Sequence, residues 1–318
     1  MKKIFITGIS GFVGNYLARK LLEQQGIQIS GTYFSESSKK ALEDVADRVK
    51  LFPLDLMDKA ATEKLVREIN PDEIYHLAAM AASSKSFDNP KEVIENNIIS
   101  QLNLLESVRG AKINPKIMII SSAEVYGKVD PSNLPIDEDT PMFPTNPYAV
   151  SKITQDYMAL QYFISYKLNI LRVRPFNHIG PGQSDQFATA AFAKKIAEIE
   201  KGKRDPVLNV GSLESKKDFT DVQDMVWAYI LLMEKGQLGD VYNIGSGKSY
   251  KMSEVLEMLL SLSKVKITVE TDPALLRPSD NPELICNNSK MQKLTGWMPT
   301  IPLENTLLNT LEYWRKTV

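Results

Sequence analysis

The sequence predicts a doubly wound parallel α/β sheet, joined by a second, smaller α/β domain assembled from its later segments. Three observations carry this expectation. Short β-rich apolar runs alternate with helix-period segments through the first 174 residues. A glycine-punctuated turn joins the first run to the first helix. Beyond about residue 175 the rhythm breaks into shorter, Pro/Gly-interrupted pieces.

Taken in order, KKIFIT (2–7), QISGTY (28–33), KLFPLD (50–55), EIYHLA (73–78), KIMIIS (116–121) and NILRVR (169–174) read as strands. Between them Leu17, Leu21 and Leu22, then Leu65, Val66 and Ile69, then Leu102, Leu104, Leu105 and Val108 recur at helical spacing. Strand–helix alternation of this kind builds parallel βαβ units with helices on both faces of a buried sheet. Their right-handed crossovers leave the carboxyl ends of the strands along one edge, where ligands bind. Later, FAKKIAEIEKG (192–202) and DVQDMVWAYILLMEKG (221–236) read as helices, and DVYNIG (240–245) as a buried strand. Residues 247–318 read as short helices and loops, closing with the helix PLENTLLNTLEYWRK (302–316).

Composition removes several classes of function. The 38 Lys and Arg against 39 Asp and Glu leave a net charge of −1, so no bulk field favours nucleic acid or an anionic membrane. A single cysteine, Cys286, excludes an internal disulfide framework and any cysteine-rich metal site. No apolar stretch after MKKIFITG is long enough for an export signal, and no run of about twenty apolar residues could span a bilayer. A cytoplasmic protein is expected, with no nucleic-acid, membrane or metal partner.

The first strand runs directly into Gly8-Ile-Ser10-Gly11-Phe12-Val13-Gly14, which opens the first helix. A glycine at the strand end permits a tight turn, a second lets a pyrophosphate reach backbone N–H groups, and a third lets helix and strand pack closely. The helix N-terminus adds unpaired donors and the positive end of its dipole. A dinucleotide is therefore expected here. The end of the second strand would meet the adenosine ribose, and a carboxylate there would select NAD. That slot, Tyr33-Phe34-Ser35, holds no acid; Ser35, Ser37, Ser38, Lys39 and Lys40 follow and suit a 2′-phosphate. NADP(H) is expected ahead of NAD(H). Asp55 and Leu56, ending the third strand, are placed to meet the adenine.

Tyr148 and Lys152 lie four apart in a segment with helical periodicity, so phenol and ammonium share a helix face. A neighbouring cation favours the phenolate and brings a weak acid towards working range. Ser122 and Glu124, in SSAEVYG (121–127), end the fifth strand on the edge where chemistry is expected. Ser122 is placed to bond a substrate oxygen shared with Tyr148.

The glycine turn, His76-Leu77-Ala78-Ala79, Asn97, SSAEVYG and YAVSK together resemble the extended short-chain dehydrogenase/reductase family along essentially the whole chain. The resemblance implies a Rossmann domain (1–174 with 218–246) and a nucleotide-sugar substrate domain (175–217 with 247–318). It implies that Leu77, Ala78 and Ala79 line the cofactor cleft. It further implies that Ser122 orients the reacting oxygen, Tyr148 passes the proton, and Lys152 holds the nicotinamide ribose. RPFNHIGPG (174–182), the 210–222 segment and LRPSD (276–280) are similar to enzymes of GDP-6-deoxyhexose synthesis. By that match Asn177 and Arg277 clasp the diphosphate. Lys217 stands where relatives usually carry arginine, which weakens the match for a planar bidentate contact. The implied reaction is reduction of a C4 ketone on a GDP-linked hexose; the alternative is dehydration of GDP-mannose, with Glu124 as base. A nucleotide-sugar 4-epimerase would share Ser122, Tyr148 and Lys152. A homodimer is implied through the helices near 91–109 and 148–167, with Met158, Leu160, Tyr162 and Phe163 suiting either that seam or an ordinary core.

Overall fold

Strand and helix alternate as the periodicity requires. The computed structural model describes residues 1–276 and 282–318. Its first half runs β1 (Lys2–Thr7), α1 (Phe12–Leu21), β2 (Ile27–Tyr33), α2 (Glu36–Lys39), β3 (Val49–Pro53), α3 (Lys59–Ile69), β4 (Glu73–His76), α4 (Pro90–Ala111), β5 (Lys116–Ile120), α5 (Pro147–Tyr166) and β6 (Ile170–Pro175). There follow β7 (Asn177–Ile179), α6 (Ala188–Glu200), β8 (Val207–Val210), β9 (Lys216–Asp221), α7 (Val222–Lys235), β10 (Val241–Ile244), β11 (Ser249–Lys251), α8 (Met252–Ser261), β12 (Thr268–Thr271), β13 (Glu283–Leu284), α9 (Ser289–Thr295) and α10 (Leu303–Thr317).

The main sheet has the order β10-β6-β5-β4-β1-β2-β3, and each neighbouring pair is parallel. This is the doubly wound Rossmann arrangement, with the chain reversing direction between β1 and β4. Alternation along β1 shows how the layers form. Ile4 and Ile6 face α1 and α7 with Leu17, Leu21, Val226 and Tyr229, whereas Phe5 faces α3, α4 and α5 with Val66, Leu104, Leu105 and Ala159. Burying each such side chain contributes about 1.5–3 kcal/mol, so a one-residue slip of β1 would expose both sets at once.

Local signals set the helix ends near the site. Asp58 accepts from the Ala61 N–H at 3.0 Å to start α3, and α3 stops at Asn70 with φ of 45°. Asn146 accepts from the Ala149 N–H at 2.7 Å, with Pro147 in the first turn, which fixes the start of α5. The left-handed Lys167 ends it.

A second core joins Phe192 and Ile196 of α6, Leu208, Phe219, Val255, Leu256 and Leu259 of α8, and Leu307 and Leu311 of α10. Here the sequence expectation needs correction. The region after residue 247 contains strands as well as helices and loops: β11 and β13 flank β9, and β12 pairs with β8. These strands are two to four residues long and mostly polar, so no period-2 signal marks them. Of the four apolar residues of α5, Tyr162 is buried in the layer of α3, α4 and α5 and Met158 and Phe163 pack partly buried against it, while Leu160 is half-buried.

Candidate active site

β1 and β4 lie side by side where the strand order reverses, the point at which an open α/β sheet forms a ligand crevice. Gly8 takes a positive φ of 69°, and a Cβ there would sit 2.9 Å from Ala78 Cα. A Cβ on Gly14 would lie 2.4 Å from the Gly8 carbonyl oxygen. Turn, helix start and the loop after β4 are thus in contact at distances only glycine allows, which is the cradle a dinucleotide pyrophosphate needs. Thr7 pins the loop: its Oγ1 accepts from the Ala78 N–H at 3.2 Å and lies 2.8 Å from His76 Nδ1. Leu77, Ala78 and Ala79 after β4 and Phe12 and Val13 at the start of α1 are all half-buried. Burial holds His76 neutral, its pKa lowered to about 3 with Lys152 adding to the effect.

Two loops that are distant in sequence meet beside this turn. Ser10 Oγ donates to Ser38 Oγ at 3.0 Å, and Ser38 Oγ is itself 2.7 Å from the Ser35 carbonyl. Ser35 and Ser37 hydroxyls are 3.0 Å apart. The nearest acid, Glu36, is engaged by the Tyr33 hydroxyl at 2.6 Å. Lys39 lies over the Tyr33 ring, 5.5 Å from its centroid. Just beyond β3, the Asp55 carboxylate accepts from the Met57 N–H at 2.9 Å. Leu56 is buried, its carbonyl held by Asn103 at 2.8 Å.

On the other side of the crevice, the loop after β5 and the first turns of α5 bring Ser122, Glu124, Tyr148 and Lys152 together. Tyr148 is buried. Its phenol is pushed up to about 12, by burial first and by the Glu124 charge as well, while a hydrogen bond with Ser122 works the other way. Lys152 is fully enclosed, and burial brings its ammonium down to about 7 against the pull of Asp156. Lys152 Nζ donates to the Ile120 carbonyl at 2.5 Å and to Gln155 Oε1 at 2.6 Å. The expected lowering of the phenol by the ammonium is not what this geometry gives: burial raises it, and Ser122 rather than Lys152 opposes the rise. Glu124 is half-exposed, its carboxylate receiving Asn146 Nδ2 at 3.1 Å.

The substrate-side candidates lie on β7 and β9. Asn177 Nδ2 donates to the Asp218 carbonyl at 3.2 Å, and Lys217 lies mid-strand, paired with Tyr250 on β11 and Leu284 on β13. Arg277 lies outside the described residues. Between these strands the buried Asp218 carboxylate gathers the N–H groups of Ser246, Gly247 and Cys286 at 2.8, 2.9 and 3.0 Å. Among the described residues no cluster of three His, Cys, Asp or Glu could hold a metal ion, and no helix is long and apolar enough to cross a membrane.

Several supporting residues are not among those that the sequence singles out. Asn146 has a findable signal, since Asn-Pro before an apolar run marks a helix start. Gln155 has none. Asp156 has none either: it accepts from Arg172 Nη1 at 2.7 Å and Arg174 Nε at 2.8 Å, all three buried.

With this geometry in place, the chain can be set beside known proteins. It matches the GDP-mannose 4,6 dehydratase family over residues 5–310. It is 34% identical to GDP-6-deoxy-D-mannose reductase of Pseudomonas aeruginosa, over 100% of this chain and 98% of that protein. Against GDP-mannose 4,6-dehydratase of Yersinia enterocolitica the identity is 30%, over 96% of this chain and 91% of the relative. The structure of RMD from Pseudomonas aeruginosa complexed with NADPH superposes with a TM-score of 0.86 at 32% identity, covering 100% of both chains. By sequence along nearly its whole length, the chain belongs to the GDP-mannose 4,6-dehydratase family.

Proposed function

We propose that this protein reduces the C4 ketone of GDP-4-keto-6-deoxy-D-mannose to GDP-6-deoxy-D-mannose, using NADPH. The observation that carries the reading is the placement of Tyr148: a buried phenol in the first turn of α5, with Ser122 and Glu124 of the loop after β5 acting on it, in a chain 34% identical to such a reductase. Reduction of a ketone requires a proton donor at the forming alkoxide, and a phenol held in its acid form supplies one.

Bound NADPH would supply hydride. Gly8, Ser10, Gly11, Phe12, Val13 and Gly14 would hold its pyrophosphate, Ser35, Ser37 and Ser38 its 2′-phosphate, and Leu77, Ala78 and Ala79 the inner wall. Lys152 would hold the nicotinamide ribose. Tyr148 gives its proton to O4, and Ser122 keeps that oxygen in line. Asn177 and Lys217, with Arg277, would take the diphosphate, and the segments 175–217 and 247–318 would form the substrate domain. A homodimer through α4 and α5 is supported by Val150, Tyr157 and Ile164, which stand exposed at seven-residue spacing along α5.

One observation favours dehydration of GDP-mannose instead: Glu124 lies close enough to Tyr148 to raise its pKa, and is held by Asn146 as a base at C5 would need to be. The two readings separate in one assay. Purified protein is given GDP-mannose alone, and separately the 4-keto sugar with NADPH. Reductase activity oxidises NADPH only in the second. Conversion of GDP-mannose without added reductant would establish the dehydratase, and activity confined to UDP- or dTDP-sugars would remove GDP from the assignment.

A further inference from the structure

We infer that Gln155 is a positioning residue for Lys152, holding its ammonium so that one proton alone is left to point at a ligand. This rests on the dinucleotide reading of the crevice and adds to it a residue that the glycine turn and the Ser122–Tyr148–Lys152 set do not include.

An ammonium has three donors and no acceptor. Two are committed: Nζ donates to the Ile120 carbonyl at 2.5 Å and to Gln155 Oε1 at 2.6 Å. Gln155 is itself immobilised. It is fully buried, its Nε2 donates to the Asn97 carbonyl at 2.7 Å, and its own carbonyl accepts from Gln101 Nε2 at 2.8 Å. The line continues on α4. Asn97 Oδ1 accepts from the Met80 N–H at 2.8 Å, and Asn97 Nδ2 donates to Ser151 Oγ at 2.9 Å. Ser151 Oγ in turn donates to the Tyr148 carbonyl at 2.7 Å. One bridge of side-chain amides therefore sets both the lysine and the turn bearing the tyrosine.

The choice of an amide has consequences. Glutamine offers an acceptor to Lys152 and a donor to Asn97, which glutamate cannot do while ionised. Being neutral, it also leaves the charge on Lys152 free to respond to its surroundings. The charged and titratable groups facing Lys152 are few. Tyr148 and Asp156 share its helix, His76 approaches from β4 in neutral form, and the carboxylate of Asp156 is already shared by Arg172 and Arg174 of β6. Burial then leaves the ammonium titrating near 7. The sign follows: Lys152 is charged below that pH, and a stronger acceptor extends the charged range upward.

The test labels lysine with 13C at Cε and follows Lys152 by NMR through pH 5–10 in the protein without added dinucleotide, beside Gln155→Leu and Gln155→Glu, with circular dichroism confirming the fold. Leucine removes the acceptor, and the midpoint should fall by about one to two pH units. Glutamate should raise it by about one unit or more. NADPH affinity, read by fluorescence titration, should weaken about tenfold in Gln155→Leu. Opposite shifts from two substitutions at one buried site are not what a merely structural role gives. A midpoint within about 0.3 unit of the parent in either folded variant overturns the inference. Should neither variant fold, the parent decides: Lys152 must show a 1H–15Nζ signal protected from solvent exchange at pH 6, and a freely exchanging one refutes its being held. If the parent binds no dinucleotide, the crevice reading fails while the lysine midpoints still report on Gln155.

Discussion

Tyr148→Phe is expected to lower kcat for NADPH oxidation about 10²–10⁴-fold, the span that a positioned proton donor contributes. Phenylalanine fills the same buried volume, so the crevice keeps its shape. What disappears is the hydroxyl beside Ser122, and with it a phenol proton that burial keeps in place through neutral pH. NADPH affinity should move less than threefold, and the melting temperature by no more than a few degrees, because Ser122 retains the Glu124 N–H as a partner at 3.1 Å. Stopped-flow absorbance with the 4-keto sugar reads the chemistry; fluorescence titration reads the binding. A variant that keeps more than a tenth of the parental kcat would remove Tyr148 from the proton's path.

A loss of similar size, in stability, is expected at Asp156. Its carboxylate is fully buried between Arg172 and Arg174. Burial alone would raise its pKa, but the bonds and charges of the two guanidinium groups outweigh it and the net shift is downward. Asp156→Ala would leave two buried arginines without that anion, and breaking a buried pair from one side costs about 3–5 kcal/mol. Arg174 retains Tyr126 Oη at 2.9 Å and the Glu138 carbonyl at 3.0 Å, and Arg172 keeps the Gly239 carbonyl at 3.1 Å; neither supplies the missing charge. Asp156 lies one helical turn after Lys152 and ties α5 to β6, so the variant should also bind NADPH less tightly. Urea unfolding measures the first effect. A loss below about 1 kcal/mol would mean that the arginines find other partners and that the triad is incidental to the fold.

These two positions differ in how far the amino-acid sequence reveals them. Tyr148 and Lys152 are legible because their chemistry is local: four residues on one helix bring the groups to one face. The turn from Gly8 to Gly14 is legible for the same reason, since its three glycines answer to contacts made within one strand–helix junction. The parallel sheet follows from right-handed crossovers between similar βαβ units. Asp156 with Arg172 and Arg174, Gln155 with Asn97, and Ser10 with Ser38 are different. Each joins segments 16 to 58 residues apart, and only the packing of α5 on β6 and α4 or the pairing of β1 with β2 makes them neighbours. Nothing in the spacing of Gln155 separates it from a surface glutamine. The short strands β7, β9, β11 and β13 are hidden for another reason. KKDFTD and SYK are too polar and too brief to show alternation, and the group holds its place through the pairing of its members with β9 and through the Asp218 carboxylate.

In the proposed reaction hydride passes from nicotinamide to C4 of a GDP-linked keto sugar while Tyr148 supplies the proton to O4. Its most direct test is isotopic. NADPH carrying deuterium at the nicotinamide C4, on each face in turn, is incubated with the protein and GDP-4-keto-6-deoxy-D-mannose, and the product is examined by NMR. One deuterium is expected at C4 of the sugar from one of the two labelled cofactors, and none at C5 or C6. A product without deuterium at C4, or one labelled from solvent at C5, would contradict it.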